Sequence, residues 1–142
     1  MDQFSHFVLA QAPVRQAVEA ELAAGRKRTH WMWFVFPQLD GLGHSAMAHK
    51  YGLHSLAEAE AYLRHPVLGP WLRHCTGLVN AVDGRSIGEI FGSPDDMKFR
   101  SSMTLFARAG PADAGFTKAL AKYFGGEPDR RTLSLLGETN AR

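Results

Sequence analysis

Cysteine is almost absent. Cys75 is the single one among 142 residues, so no disulfide can close within the chain. A lone thiol suits a reducing cytoplasm, which is the expected location. Long apolar runs are missing as well. The longest, Trp31 to Phe36, spans six residues, against the roughly 20 that a membrane helix needs, so no membrane partner is expected. The beginning of the chain reads as free of a signal peptide: Asp2 stands where a basic region would be needed, and Pro13 interrupts the first apolar stretch. Charge of one sign is scarce too. Sixteen Lys and Arg face fourteen Asp and Glu, a net charge of +2, and so small an excess does not by itself point to nucleic acid.

Several chemical signatures are also lacking. There is no Cys-x-x-Cys and no His-Glu-x-x-His. His44, His49 and His54 recur at five-residue spacing, which does not put them on one helix face. No metal and no cofactor are therefore expected. There is no Gly-x-Ser-x-Gly elbow and no phosphate-binding loop. Gly41-x-Gly43 lacks the third glycine of a dinucleotide fingerprint.

What is present is an ordinary globular composition, 45% hydrophobic and 21% charged. It fits one domain over residues 1–142 whose core needs no staple of disulfide or metal. Periodicity and capping residues predict helices almost throughout. Phe4, Phe7 and Val8 begin one. Pro13 starts a second that carries Val14, Val18 and Leu22 and stops at Gly25. Ser45, Ser55, Ser86 and Asp129 read as N-caps, and Ser55-x-x-Glu58 and Ser86-x-x-Glu89 have capping-box form. Ser93-Pro94-Asp95-Asp96 reads as a cap, a proline at the first helical position and two acids against the helix dipole. Residues 31–36 have strand-like types but no strand to pair with, so they are expected to be buried and at least partly helical. The fold class is all-α: a compact multihelical domain of seven or eight short helices.

Two segments carry the candidate chemistry. In the first, Arg26, Lys27 and Arg28 precede His30, Trp31 and Trp33, which sets anion-binding donors beside flat stacking surfaces. Gln38 and Ser45 follow, Ser45 at a helix start behind a glycine loop. In the second, helical spacing turns Phe99, Met103 and Phe106 into the core, places Asp95, Lys98 and Ser102 on the border of that face, and sends Arg100, Thr104 and Arg108 to solvent. His30, Asp95, Asp96 and Lys98 are the candidate catalytic residues. Arg26, Lys27, Trp31, Trp33, Gln38, Ser45 and Ser102 are the candidate ligand-binding residues. The plain alternatives stand beside them: a solvated basic turn, core indoles, a loop and its cap, and a carboxylate that only serves a helix dipole. Cys75 lies on the apolar stripe of Leu68, Trp71, Leu72 and Val79, as a buried thiol would.

Taken together, Gly25-Arg26-Lys27, His30-Trp31-Met32-Trp33-Phe34, Phe36-Pro37-Gln38, Gly41-Leu42-Gly43-x-Ser45, His65-Pro66-Val67-Leu68-Gly69, Ile90-Phe91-Gly92, Asp95-Asp96-x-Lys98 and Ser101 to Phe106 resemble a bacterial domain-of-unknown-function family. Some members of that family carry the label "calpastatin". The likeness covers about residues 3–137. It implies a small all-helical domain and no established activity. Calpastatin itself is a disordered inhibitor, and a globular composition does not match it. The chain departs from the family pattern at Arg28-Thr29, where many relatives have a Lys/Arg-Ser pair, and at Pro70-Trp71, where an arginine often follows the glycine.

The expectation is a pocket shared by the two segments, with His30 or Gln38 close to Asp95, Asp96 or Lys98. It would bind a small anionic, nucleotide-like or sugar-phosphate molecule, with metal-independent hydrolysis or group transfer as the accompanying chemistry. The alternative is a non-catalytic protein-interaction module that uses the aromatic segment. No feature of the sequence sets an oligomeric state.

Overall fold

A computed structural model describes residues 2–137. These contain ten α-helices: α1 (Ser5–Gln11), α2 (Arg15–Ala23), α3 (Met32–Val35), α4 (Ala46–Tyr51), α5 (Leu56–Arg64), α6 (Leu68–Asn80), α7 (Ile87–Phe91), α8 (Asp95–Ala109), α9 (Ala114–Phe124) and α10 (Arg130–Leu135). A 3-10 turn, Ala12–Val14, joins α1 to α2 and holds Pro13, so Pro13 kinks the chain one turn before α2 begins. No strand occurs among the described residues, only an isolated bridge between Leu39 and Leu53. The domain is all-α, with more and shorter helices than the seven or eight expected, because α3 and α7 are little more than single turns.

Local chemistry explains several helix ends. Ser45, Ser55, Ser86 and Asp129 each accept the backbone N–H three residues on. Ser86 and Glu89 form the full reciprocal box. Glu58 instead takes the N–H of His54, one residue before the cap. α2 closes in a Schellman turn: the N–H of Gly25 reaches the Leu22 carbonyl, that of Arg26 reaches Glu21, and Gly25 stands at φ +72°. α8 begins at Asp95, one residue later than expected. A turn closed by the Asp96 N–H on the Gly92 carbonyl occupies the position that a Ser93 cap would have taken.

α8 is the central post. α5, α7, α9 and α10 all pack against it, while α6 packs against α2, α5 and α9. Because α8 is covered on several sides, its burial exceeds one stripe. Phe99, Met103 and Phe106 are enclosed as the spacing predicts, but so are Ser102 and Thr104. Thr104 does not face solvent: its hydroxyl donates to the Arg100 carbonyl and accepts the N–H of Asp129 at the start of α10. Arg100 is half-buried, with Nε on the Glu127 carbonyl. Residues 31–36 are core. Trp31, Met32, Phe34, Val35 and Phe36 are buried, and α3 supplies their helical turn.

Candidate functional site

The basic segment after α2 is shaped by a carboxylate. Glu21 is buried, and its Oε1 accepts the N–H of Arg28 (2.7 Å), the N–H of Thr29 (3.0 Å) and the indole N–H of Trp31 (3.0 Å). Its Oε2 accepts the Thr29 hydroxyl at 2.7 Å. Burial raises the Glu21 pKa and is the largest single influence. The hydrogen bonds from the Arg28 amide, the Thr29 hydroxyl and amide, and the Trp31 indole together outweigh it, so the carboxyl titrates below its ordinary range. The chain wraps this anion through its backbone, and the cationic side chains remain available for other contacts.

Lys27 uses that freedom. Its Nζ lies 2.9 Å from Asp95 Oδ2 at the start of α8 and 5.1 Å from the centre of the Trp31 ring. Lys98, one turn along α8, approaches the other oxygen of Asp95 at 3.6 Å. One carboxylate thus serves two ammonium groups. Lys98 is the more distant and more exposed of the pair, so a positive charge at its tip is left only partly compensated. Its Nζ also stands 5.2 Å above the Trp33 ring.

The third part is the excursion from Gln38 to Leu53. Two backbone hydrogen bonds close its base, Asp40 N–H to the Leu53 carbonyl (2.8 Å) and Leu53 N–H to the Gln38 carbonyl (3.0 Å). α4 fills the excursion. Gly52 is pressed so tightly that an added Cβ would lie 2.8 Å from the Ala48 carbonyl oxygen and 2.8 Å from Asp40 Cα.

These parts enclose a cavity of about 220 Å³, walled by Trp33, Gln38, His44, Ser45, Tyr51 and Lys98. Trp31 packs on Phe36 and Phe91, and Trp71 on His74; Trp33 makes no ring–ring contact among the described residues. Tyr51 is already engaged, stacked on His6 at 5.7 Å with Lys50 over its ring at 5.4 Å. Trp33, half-buried and with only Lys98 over its ring, is therefore the less engaged of the two aromatic rings on the wall. The Gln38 amide, the His44 imidazole and the Tyr51 hydroxyl make no hydrogen bond to any described residue. The site thus combines one flat ring, one incompletely paired cation and three polar groups without a hydrogen bond among the described residues.

Of the candidate residues, the structure brings Trp33, Gln38, Ser45 and Lys98 to the cavity wall, with Asp95 and Lys27 behind Lys98. The others lie elsewhere. His30 and Arg26 are exposed and do not line it. Trp31 is fully buried on Glu21. Asp96 is half-buried, with Oδ1 on the Met97 N–H. Ser102 is enclosed, and its hydroxyl has no hydrogen-bond partner among the described residues. His44, Tyr51 and Gly52 were not candidates. Ser45, Ala48, Tyr51 and Gly52 recur at helical spacing, and that pattern marks one face of α4 as a wall. Among the described residues, no group of three or more His, Cys, Asp or Glu is arranged to hold a metal, and no helix is long and apolar enough to cross a membrane.

Fold and site together define a small all-helical domain with an aromatic- and lysine-lined cavity at its surface. The chain belongs to the family described as "Protein of unknown function (DUF1810)", whose model matches residues 1–136. It is similar to the crystal structure of the conserved hypothetical protein Rv1873 from Mycobacterium tuberculosis, with 64% identity and a TM-score of 0.94, over 96% of this chain and 97% of that one. No curated protein matches it.

Proposed function

We propose that this domain binds a small anionic molecule carrying a flat ring or sugar, of the nucleotide-like or sugar-phosphate class, in the cavity between Trp33 and Lys98. The observation that carries the reading is the Lys27–Asp95–Lys98 cluster. Its charge is unbalanced by one, and the loosely held ammonium stands at the cavity wall over the half-buried Trp33 indole. An anion there completes the charge pairing, while the ring stacks on Trp33 and the Gln38 amide orients it.

Hydrolase or transferase chemistry through His30, Asp95 and Asp96 draws less from the geometry. His30 lies outside the cavity and Asp95 is committed to two lysines. The interaction-module alternative draws least, because the aromatic segment is mostly buried.

The test is thermal unfolding with AMP and ribose 5-phosphate, against adenosine and ribose as uncharged controls. A ligand at 100 times its Kd stabilises by about 2.7 kcal/mol, roughly a 10 °C shift in a domain of this size. Phosphorylated members should raise Tm more than their controls, and Lys98→Ala should abolish that difference. Equal shifts in Lys98→Ala, or no shift with any member at millimolar concentration, would overturn the reading.

A further inference from the structure

Lys98 does not line one cavity only. A second, of about 310 Å³, adjoins it and shares Gln38, Gly43 and Lys98 with the first. Its chemistry differs. The first holds the indole and the unused polar groups. The second is floored by Leu42, Pro94 and Met97 and edged by Arg131 and Asp129. Met97 is 47% exposed, a large apolar side chain left open on that floor. Among the described residues Arg131 makes one long hydrogen bond, Nη2 to the Gly41 carbonyl at 3.4 Å, which leaves most of its donors unused. No ion pair joins Arg131 to a carboxylate among the described residues, although Asp129 keeps its charge on the same wall. Asp129 Oδ2 accepts both the N–H and the hydroxyl of Thr132, and Asp95 is held by two lysines.

Two compartments of different character thus meet at a lysine, with a second cation in the farther one. The first is smaller than the roughly 300–1,000 Å³ usual for ligand sites and the second lies at the lower end of that range, so neither alone is roomy for a molecule of two groups.

We infer that the ligand has two lobes joined by a phosphate bridge, as in a dinucleotide or a nucleotide-sugar. This rests on the proposed anion site and extends it. The flat ring lies against Trp33. The bridge crosses Lys98, where a two-phosphate linkage meets both Lys98 and Arg131, one cation for each phosphoryl charge. The second group rests on Leu42, Pro94 and Met97.

Calorimetric titration of AMP, GMP and UMP against AppA, GppG and UDP-glucose tests this. In at least one matched pair the two-lobed molecule should bind tenfold or more tightly than its mononucleotide. Arg131→Ala should remove that gain and leave mononucleotide affinity within twofold. Met97→Glu, which sets a carboxylate on an exposed position of the second floor, should do the same without touching the core. Lys98→Ala should weaken both members of the pair. Two outcomes overturn the two-lobed ligand while leaving the anion site standing: a mononucleotide that binds as tightly as its partner, and a gain that survives both Arg131→Ala and Met97→Glu. Absence of binding by every member overturns the anion site itself.

Discussion

Removing the Glu21 carboxylate tests the account of the basic loop most directly. In Glu21→Ala the Trp31 indole N–H has no acceptor. Trp31 is fully buried, so water cannot replace the lost bond, and an orphaned buried donor costs about 2 kcal/mol. The Arg28 and Thr29 amides belong to exposed residues and regain water at about 0.5–1 kcal/mol each. The expected loss is about 3–4 kcal/mol, a large share of the 5–15 kcal/mol typical of a domain. Glu21→Gln should behave differently. Oε1 carries three of the four bonds, and an amide oxygen can keep them. The new amide nitrogen meets the Thr29 hydroxyl, which can turn and accept. Only charge assistance is lost, about 1 kcal/mol. The pH dependence follows from the lowered pKa. A depressed carboxyl contributes its full stabilisation above the ordinary glutamate value of 4.5, and that contribution is lost as pH falls through the folded-state value. The gap between wild type and Glu21→Gln should therefore hold from pH 7 down to about 4.5 and shrink below it. Urea unfolding followed by tryptophan fluorescence at several pH values measures both effects. If Glu21→Gln loses as much as Glu21→Ala at neutral pH, or if the gap stays constant into acid, hydrogen bonding to the ionised carboxylate is not what orders the loop.

Three further outcomes are expected. Trp71→Ala should cost about 3–5 kcal/mol in denaturant unfolding, since Trp71 is 4% exposed and carries the Arg15 guanidinium 4.1 Å above its ring; a loss below about 1 kcal/mol would contradict a core role. Gly52→Ala drives a methyl into the Ala48 carbonyl and Asp40 and should lower stability by about 1–3 kcal/mol, with a loss of AMP affinity as the α4 wall shifts. A variant as stable as wild type would mean that the excursion yields freely. Cys75 is buried, and burial pushes its thiol far above the usual range, so an aromatic disulfide reagent should label it only after unfolding; rapid labelling of the native protein would show that the α6 face opens.

How much of this was legible depends on where each signal resides. Caps are local: Ser45, Ser86 and Asp129 reveal helix starts because the residue that accepts the bond lies within one turn of its donor. Residues 31–36 were typed by elimination, since a lone strand cannot satisfy its backbone. The all-helical class followed from those two kinds of evidence. Glu21 was illegible because three of its four partners lie in a loop, two of them backbone amides, and no side-chain pattern encodes them. Thr104 was misplaced because helical spacing identifies the most apolar face of α8 but not how many neighbours cover the others. For the site, Lys98, Trp33 and Gln38 were visible as unlike chemistry interleaved with core residues. Tyr51 and His44 were not, because their part depends on a loop whose ends lie fourteen residues apart, at Leu39 and Leu53.

That pairing has an evolutionary consequence. The ends of the excursion are stapled by two backbone hydrogen bonds that involve no particular side chain. Chain inserted or deleted between them changes one rim of the cavity and leaves the helical scaffold in register, at an entropic cost that rises only logarithmically with length. The excursion is thus a cassette. Chimaeras cut at Gln38 and Leu53 should fold as readily as their parents when they keep an aromatic at position 51, which packs on Phe7 and Phe34, and glycine at position 52.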